Sequence, residues 1–186
     1  MAGQVLRLRS EELREALPGM NAGDRVLLSG IIYTARDAAH KRFFELLDQG
    51  KPLPIDIQNA VIYYAGPAPG QQGMAVGACG PTTASRMDGF APRLLDLGLA
   101  AIIGKGEMNQ TVAEAIVRNK AGYFAAVGGA GALIAKCIKR ADVVAFDDLG
   151  CESVKRMEVE DLPLTLALSA KGENLYQLGK EQYRRA

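Results

Sequence analysis

The hydrophobic pattern of this chain changes along its length, and the change predicts its architecture. In the middle, continuous apolar runs such as 99–103 alternate with segments of helical spacing such as 111–118. Continuous apolar runs are typical of parallel strands that are buried on both faces. Nearer the ends strand patterns cluster, and segments such as 4–9 and 162–168 alternate between polar and apolar residues. Helices between strands in the middle and clustered strands at the ends predict an α/β fold with a mixed, partly parallel sheet.

The individual elements follow from the same pattern and from the residues that begin and end helices. Gly30 interrupts a long strand pattern and predicts a β-bulge. The loop 67–73 is rich in proline and glycine, but the hydrophobic runs on its two sides are alike, so we expect a single domain over residues 1–186. Strands are predicted at 4–9, 25–34, 59–66, 74–76, 99–103, 122–127, 142–149, 153–160 and 162–168. Helices are predicted at 10–17, 35–47, 89–97, 111–118, 132–140 and 174–184.

Composition and charge exclude several classes of binding partner. The chain has 186 residues, 48% of them hydrophobic, and a formal net charge of +1. A nearly neutral chain has no overall field that recruits nucleic acid or an anionic membrane. Tryptophan is absent and aromatic residues make up 6% of the chain, which argues against a stacking surface for single-stranded nucleic acid. No apolar run reaches the ~20 residues of a membrane helix, and the N-terminus lacks a signal-peptide pattern. We therefore expect a soluble, cytoplasmic protein.

The cysteines point to the same compartment. Three of them, Cys79, Cys137 and Cys151, are widely spaced and form no C-x-x-C pair. An odd number at such spacings does not predict a disulfide framework and favours a reducing compartment. The sequence also shows no spacing typical of metal ligands, so we expect no metal site in this chain.

Candidate chemistry gathers at residues 77–88. Two glycines, a proline, two threonines and an arginine lie there between a predicted strand and a predicted helix. Glycines let a ligand approach the backbone closely, and a helix N-terminus attracts anions. If the segment were helical, Thr82 and Arg86 would share one face at a spacing of four residues. These features predict a carboxylate or phosphate site, and the alternative is an ordinary capped helix with a solvated arginine.

Two further strand ends carry cations. Arg36 follows one predicted strand, and Lys105 lies between two glycines after another. In open α/β sheets, ligands bind outside the carboxyl ends of the strands. Together with Thr82 and Arg86, these residues would form a compact cationic pocket, and two arginines suit a small dicarboxylate with one bidentate fork per carboxylate. For Arg36 the alternative is a salt bridge with a nearby acid.

The predicted pocket has no obvious catalytic machinery of its own. His40 is the only histidine, and a lone histidine is more often structural or solvated than catalytic. Cys79 lies beside the pocket and is either reactive or a small buried residue. Glycines at 104–106 and 128–131 leave a stand-alone small-anion or nucleotide-binding module as a second hypothesis, although the P-loop and dinucleotide-binding spacings are missing. A binding surface without a redox centre suggests that a partner brings the reactive group.

Three motifs resemble a known family. They are the segments 34–40, 80–88 and 103–106, which read TARDAAH, GPTTASRMD and IGKG. On these motifs the chain resembles the beta subunit, or C-terminal domain, of class I (iron–sulfur) fumarate hydratases and of the related L-tartrate dehydratases. The resemblance runs from about Arg25 to the C-terminus, and the residues at 84–88 are closer to those of the fumarate hydratases.

The resemblance implies both a fold and a set of roles. The fold is a swivelling β/β/α three-layer domain that closes on an alpha subunit carrying a [4Fe-4S] cluster. Because cysteines of the alpha subunit hold that cluster, those of this chain are not expected to be cluster ligands. By resemblance, Arg36 and Arg86 bind the substrate carboxylate, and Thr82 is the catalytic base. Lys105 is a second catalytic residue that supports charge in the site, and Thr82 and Lys105 also contact the substrate.

The implied activity is that of a hydro-lyase of the tricarboxylic acid cycle. It is the reversible hydration of the small dicarboxylate fumarate to L-malate, by a complex with the alpha subunit rather than by this chain alone. An L-tartrate dehydratase or a related hydroxy-acid dehydratase is the alternative within the same family. The isolated chain could also form a homodimer.

Overall fold

The structure is a computed structural model that describes residues 5–184. One seven-stranded sheet forms its centre. The strands are β1 (Val5–Arg9), β2 (Arg25–Thr34), β3 (Val61–Tyr63), β4 (Ala101–Gly104), β5 (Gly122–Ala125), β6 (Ile138–Ala145) and β7 (Val154–Leu168). The α-helices are α1 (Leu13–Ala16), α2 (Asp37–Asp48), α3 (Ala91–Asp96), α4 (Gln110–Arg118), α5 (Gly131–Cys137) and α6 (Leu175–Tyr183). Short 3-10 helices cover Ser10–Glu12, Leu17–Gly19, Ala84–Met87 and Asp147–Glu152.

The sheet closes on itself. The strands β1 to β5 lie side by side in sequence order and are parallel. Beyond β5 lie β7 and then β6, both in antiparallel pairs. The long strand β7 also pairs antiparallel with β2, so β2, β3, β4, β5 and β7 form a closed, barrel-like ring. Closure leaves these strands without the free edges of an open sheet.

A bulge bends β2 at Gly30. The register of pairing with β7 shifts between Leu28 and Gly30, and Gly30 has a φ of +112°. Glycine adopts this conformation readily because it has no Cβ. A Cβ at this position would lie 2.4 Å from the Ser10 hydroxyl oxygen, which accepts a hydrogen bond from the Ile31 N–H at 2.9 Å. The bulge predicted at Gly30 is confirmed.

Neighbouring residues of the central strands pack into two different hydrophobic clusters. On β3, Tyr63 belongs to one cluster, while Ile62 and Tyr64 belong to the other. On β4, Ile103 and Ile102 divide in the same way, because successive side chains of a strand point to opposite faces. The first cluster includes residues of β2 and β7, and the second includes the apolar faces of α2, α3 and α4. Burial on both faces explains the continuous apolar runs in the sequence.

Several predicted element boundaries are wrong. Residues 74–76 are not a strand, and 153–160 and 162–168 are parts of the single strand β7. The helix predicted at 132–140 ends at Cys137, and the next strand is Ile138–Ala145 rather than 142–149. Pairing with β7 takes over from the helical pattern here, since Ile138 already pairs with Val159. Gln4, the first residue of the first predicted strand, lies outside the described residues.

The predicted α/β fold with a mixed, partly parallel sheet is confirmed. The strand pairings do not by themselves establish a three-layer β/β/α domain or a swivelling motion, and these stay predictions. Within residues 5–184, no helix is long and apolar enough to cross a membrane.

Candidate active site

The four predicted site residues lie at the edge where β2, β3 and β4 end. Arg36 stands between β2 and α2, and Lys105 directly follows β4. Thr82 is hydrogen-bonded to the backbone that follows β3, and Arg86 lies in the 3-10 helix Ala84–Met87. Parallel strands bring their carboxyl ends to one edge of a sheet, which places the four residues side by side. Their roles remain predictions.

Arg36 is held in place by acidic neighbours and by a close backbone contact. Its Nη2 lies 3.3 Å from Glu152 Oε1 and 3.9 Å from Asp37 Oδ2. A Cβ on Gly66 would lie 3.0 Å from Arg36 Nη1, so the guanidinium lies directly over this glycine. Only 19% of the side chain is exposed. A partly buried guanidinium needs paired carboxylates, and here they also fix its position.

Asp37 links the two arginines. Its Oδ1 accepts a hydrogen bond from Arg86 Nε at 3.0 Å, while its Oδ2 faces Arg36. Asp37 is the first residue of α2, where a carboxylate is favoured by the helix dipole. Arg86 is 51% exposed, so part of its guanidinium stays open to a ligand. One carboxylate therefore bonds Arg86 directly and lies next to the guanidinium of Arg36.

Thr82 is extended rather than helical, and the predicted sharing of a helix face with Arg86 is wrong. The Thr82 N–H donates to the Tyr64 carbonyl at 2.7 Å, and its own carbonyl accepts from the Lys105 N–H at 3.1 Å. These bonds extend the pairing of β3 and β4 beyond their ends. Because its carbonyl accepts from Lys105, and the Arg86 N–H donates to Thr83 instead, Thr82 does not make the first hydrogen bond of a helix. Helical geometry starts only at Ala84.

The glycines on either side of Lys105 serve packing and backbone geometry. A Cβ on Gly104 would lie 3.1 Å from the Ala84 Cβ and 3.3 Å from Tyr64 Cδ2. Gly106 has a φ of +80°, a conformation that favours glycine. The backbone of Lys105 is thereby tied to the Thr82 segment, while its side chain is exposed.

The second glycine turn also serves packing. The Cys79 N–H donates to the Gly131 carbonyl at 3.0 Å, and a Cβ on Gly131 would lie 3.0 Å from the Gly80 nitrogen. This close approach brings the start of α5 against the segment that carries Thr82. It accounts for Gly131 without a bound nucleotide, so the nucleotide-binding hypothesis is not favoured.

His40 is a core residue. It is fully buried, and burial lowers its pKa to about 4, against a smaller raising effect of its hydrogen bond to Arg36. The ring Nδ1 lies 2.8 Å from the Arg36 carbonyl oxygen. Since a carbonyl only accepts, Nδ1 carries the proton of a neutral ring. His40 therefore supports the backbone of a site residue.

Cys79 is a small buried residue rather than a reactive one. Burial raises the pKa of its thiol to about 12, and its carbonyl accepts a hydrogen bond from the Tyr63 hydroxyl at 2.8 Å. A thiol of this kind is protonated at neutral pH and is a poor nucleophile. The alternative of a reactive Cys79 is not supported.

The sequence interpretation did not single out Asp37 and Glu152. Asp37 follows Arg36 directly, and the possibility of a nearby acid was the signal that could have found it. Glu152 lies far along the chain, in the turn before β7. Nothing in its local sequence connects it with Arg36, because the contact depends on how β7 pairs with β2.

Comparison with known proteins decides the family. The family model described as Fumarase C-terminus matches residues 2–179. The chain belongs to the fumarase C-terminus family. This confirms the resemblance seen in the motifs.

Named relatives of this fumarase C-terminus chain fall into two groups. Fumarate hydratase 2 of Leishmania major is 38% identical over 168 residues, which are 89% of this chain and 30% of the relative. The anaerobic class I fumarate hydratase of Escherichia coli K12 is 37% identical over 169 residues, 90% of this chain and 31% of the relative. A Methanocaldococcus jannaschii protein named "Putative L(+)-tartrate dehydratase subunit beta" is 37% identical over 164 residues, 85% of this chain and 84% of the relative.

These relatives confirm the coarser part of the functional prediction. They are named as hydratases and a dehydratase, so the family is one of hydro-lyases. The chain spans only about 30% of the length of the fumarate hydratases that it matches. It is similar over most of its length to a relative that is named as a subunit beta.

The charges of the fumarase C-terminus site favour an anion. Arg36, Arg86 and Lys105 are positive, while Asp37 and Glu152 are negative, which leaves one net positive charge at the strand ends. Among residues 5–184, no group of three histidine, cysteine or acidic side chains is placed to hold a metal ion. The guanidinium groups of Arg36 and Arg86 have the paired N–H donors that suit a carboxylate.

Proposed function

We propose that this chain forms one wall of a hydro-lyase active site and completes it with a cluster-bearing alpha subunit. The observation that carries the proposal is the pair of arginines, joined by Asp37, beside Thr82 and Lys105 at one edge of the sheet. The chain corresponds to about 30% of each fumarate hydratase relative, so the remaining site residues belong to the alpha part. The reaction is the reversible hydration of fumarate to L-malate, in the cytoplasm.

Arg36 and Arg86 bind the substrate carboxylate in this proposal. A guanidinium offers two parallel N–H donors that match a carboxylate, and such charge-assisted bonds are stronger than neutral ones. Asp37 accepts a hydrogen bond from the Nε–H of Arg86. This leaves the outer N–H groups of that half-exposed side chain for the substrate. Lys105 contributes a third positive charge from the exposed end of β4.

Thr82 is the proposed base. In the dehydration direction its Oγ1 takes the proton from the carbon next to the carboxylate, and in the hydration direction it returns that proton. A hydroxyl is a weak base at its ordinary pKa, so this role requires positive charge nearby. Arg86 and Lys105 supply that charge, and backbone hydrogen bonds to Tyr64 and Lys105 fix the position of Thr82.

The [4Fe-4S] cluster belongs to the alpha subunit in this proposal. When bound there, it supplies the Lewis acid of the reaction. The cysteines of this chain do not fit a cluster, since Cys79 is buried, Cys151 is exposed, and no three ligand side chains come together among residues 5–184. This chain therefore contributes binding, orientation and proton transfer.

Exposed apolar residues beside the site fit a docking surface for the alpha subunit. Val127 follows β5 and is 69% exposed, and Leu133 on α5 is 64% exposed. Between them Gly128 lies next to Lys105, since a Cβ there would lie 3.6 Å from Lys105 Cδ. Large exposed apolar side chains near a site often mark a contact surface. A swivelling closure of this domain on the alpha subunit would cover them and exclude water from the substrate.

A second candidate substrate comes from the relative of similar length. The chain covers 84% of the Methanocaldococcus jannaschii protein that is named for L(+)-tartrate dehydration. The candidate is therefore L-tartrate or a related hydroxy-acid, dehydrated by the same set of residues.

The test is reconstitution of the complex. The chain is purified alone and with the cluster-bearing alpha subunit, and both are assayed without oxygen on fumarate, L-malate and L-tartrate. We expect hydration of fumarate only by the complex, with Leu133→Glu reducing association of the two subunits. Full activity of the chain alone would refute a divided active site. Turnover of L-tartrate but not of fumarate would select the second candidate.

A further inference from the structure

Glu152 contacts both Arg36 and the helix that begins beside it. One carboxylate oxygen, Oε1, lies 3.3 Å from Arg36 Nη2. The other, Oε2, accepts a hydrogen bond from the Ala38 N–H at 3.2 Å. Ala38 is in the first turn of α2, where backbone N–H groups lack helical partners. A single side chain therefore joins the start of α2 to the guanidinium that precedes it.

The turn that carries Glu152 is held by Lys155. The Lys155 ammonium donates to the Gly150 carbonyl at 3.0 Å, to the Cys151 carbonyl at 3.3 Å and to the Ser153 hydroxyl at 2.6 Å. These oxygens lie on both sides of Glu152, at the end of the 3-10 helix Asp147–Glu152. Burial lowers the pKa of Lys155, and ion–dipole bonds to three oxygens offset the cost of burying its charge.

The same lysine is fixed to the strand that leads to Arg36. The Lys155 N–H donates to the Thr34 hydroxyl at 3.1 Å, and that hydroxyl lies 3.4 Å from the Ser153 carbonyl. Thr34 is the last residue of β2, two positions before Arg36. Lys155 therefore contacts both the strand that leads to Arg36 and the turn that carries Glu152, the residue that pairs with Arg36.

Few other groups hold the guanidinium of Arg36. Its Nε is buried and has no hydrogen-bond partner within the described chain. Its Nη1 lies against the backbone at Gly66, and within residues 5–184 the ion-pair partners of Arg36 are Glu152 and Asp37. The direction of the guanidinium therefore depends on Glu152 and, more distantly, on Asp37.

We propose that Glu152, fixed by Lys155, is a positioning residue that aims the guanidinium of Arg36 at the substrate carboxylate. The inference rests on the proposed role of Arg36 in binding substrate. Glu152 itself does not touch the substrate. A misplacement of about 1 Å in a binding group can cost up to about a hundredfold in rate, so a brace of this kind has a measurable effect.

The test uses one substitution that shortens the Glu152 side chain at constant charge and one that removes the ammonium of Lys155. Glu152→Asp keeps the carboxylate but shortens the side chain by one methylene. The aspartate cannot reach the Ala38 N–H and the Arg36 guanidinium at the same time. Lys155→Met keeps the volume and removes the ammonium that holds the turn. The control variants Glu160→Asp and Lys139→Met are matched substitutions in an exposed ion pair whose charged atoms lie 3.0 Å apart, away from the site.

A first readout needs no partner and no activity. The buried Nε–H of Arg36 should exchange slowly with solvent, which is measured on its ¹⁵N–¹H resonance, assigned by its loss in Arg36→Lys. We expect exchange at least about tenfold faster in Glu152→Asp and Lys155→Met than in the controls, because the guanidinium is no longer held. An unchanged exchange rate of the Arg36 Nε–H in both variants would refute the proposal that Glu152 and Lys155 hold Arg36.

A second readout is the kcat/KM of the reconstituted complex, taken as a double-mutant cycle with Arg36→Ala. We expect Glu152→Asp to lower kcat/KM about tenfold with Arg36 present and to have no further effect once Arg36 is removed. A loss of the same size in both backgrounds would mean a merely structural role and would overturn the inference. If Arg36→Ala alone left kcat/KM unchanged, the proposed role of Arg36 would fail, while the exchange measurement would still decide whether the brace exists.

Discussion

Asp37 accepts a hydrogen bond from Arg86 at 3.0 Å although the two residues lie 49 positions apart in the chain. The bond joins the start of α2 to the 3-10 helix Ala84–Met87, and the other oxygen of Asp37 faces Arg36. Two cations from different elements are thereby held as a pair. Like charges repel, and the carboxylate of Asp37 between them offsets that repulsion.

Replacing Arg86 with lysine should reduce activity although the charge is kept. Arg86→Lys removes the Nε–H that Asp37 accepts and the fork that matches a carboxylate. We expect a loss of roughly 2–4 kcal/mol of transition-state stabilisation, read from kcat/KM of the complex on fumarate. Arg93→Lys is the matched control, because Arg93 pairs with Asp48 away from the strand ends. An unchanged kcat/KM would remove Arg86 from the site.

Adding one methyl group at Gly66 should disturb Arg36. The new Cβ would lie 3.0 Å from Arg36 Nη1 and 3.2 Å from the Cys151 carbonyl oxygen. The guanidinium is the more flexible neighbour, so it moves, and we expect Gly66→Ala to lower kcat/KM about tenfold. Gly89→Ala is the control, since a Cβ there meets nothing within 4 Å. Equal activity of the two variants would show that Arg36 tolerates displacement.

The stability of the chain should fall on mild acidification because of His40. Burial lowers its pKa in the folded state to about 4, against 6.5 when it is exposed. Between these values the unfolded chain binds a proton that the folded chain does not, so stability is complete above about pH 6.5 and is lost as the pH falls towards about 4. The difference corresponds to about 3 kcal/mol. It is measured by denaturant unfolding across this range.

His40→Gln tests the assignment of that pH dependence. Glutamine can donate to the Arg36 carbonyl but does not titrate, so the variant should lose stability less steeply than the unsubstituted chain as the pH falls. Carboxylates that titrate near the lower end of the range are common to both proteins and cancel in the comparison. Parallel curves for the two proteins would show that His40 does not cause the loss.

The cysteines should differ in reactivity. Burial raises the pKa of Cys79 to about 12, and burial also raises the pKa of Cys137, whereas Cys151 is exposed. With iodoacetamide at mildly alkaline pH, we expect Cys151 to be alkylated first and Cys79 only after unfolding, because the thiolate is the reacting form. Peptide mass spectrometry with and without denaturant checks this. Rapid labelling of Cys79 in the folded chain would contradict its burial.

The candidate residues could be predicted from the sequence because each lies in a segment with a recognisable pattern. Arg36 and Lys105 follow apolar strand patterns, and Thr82 and Arg86 lie in a glycine-rich motif. Parallel strands bring their ends to one edge, so strand ends alone indicate proximity. The backbone conformation of Thr82 could not be predicted, because it depends on hydrogen bonds to Tyr64 and Lys105, which are distant in sequence.

By itself, the sequence determined the alternation of strands and helices, the strand ends that carry cations, and the family. Local burial dictates these features, since a strand covered on both faces must be apolar at every position. Only the tertiary structure decided that β7 closes the sheet onto β2 and that Glu152 reaches the start of α2, 114 positions away at Ala38. Such contacts depend on strand register over long separations, which no local pattern encodes. The structure therefore shows how the arginines are held, whereas the sequence shows only that they are present.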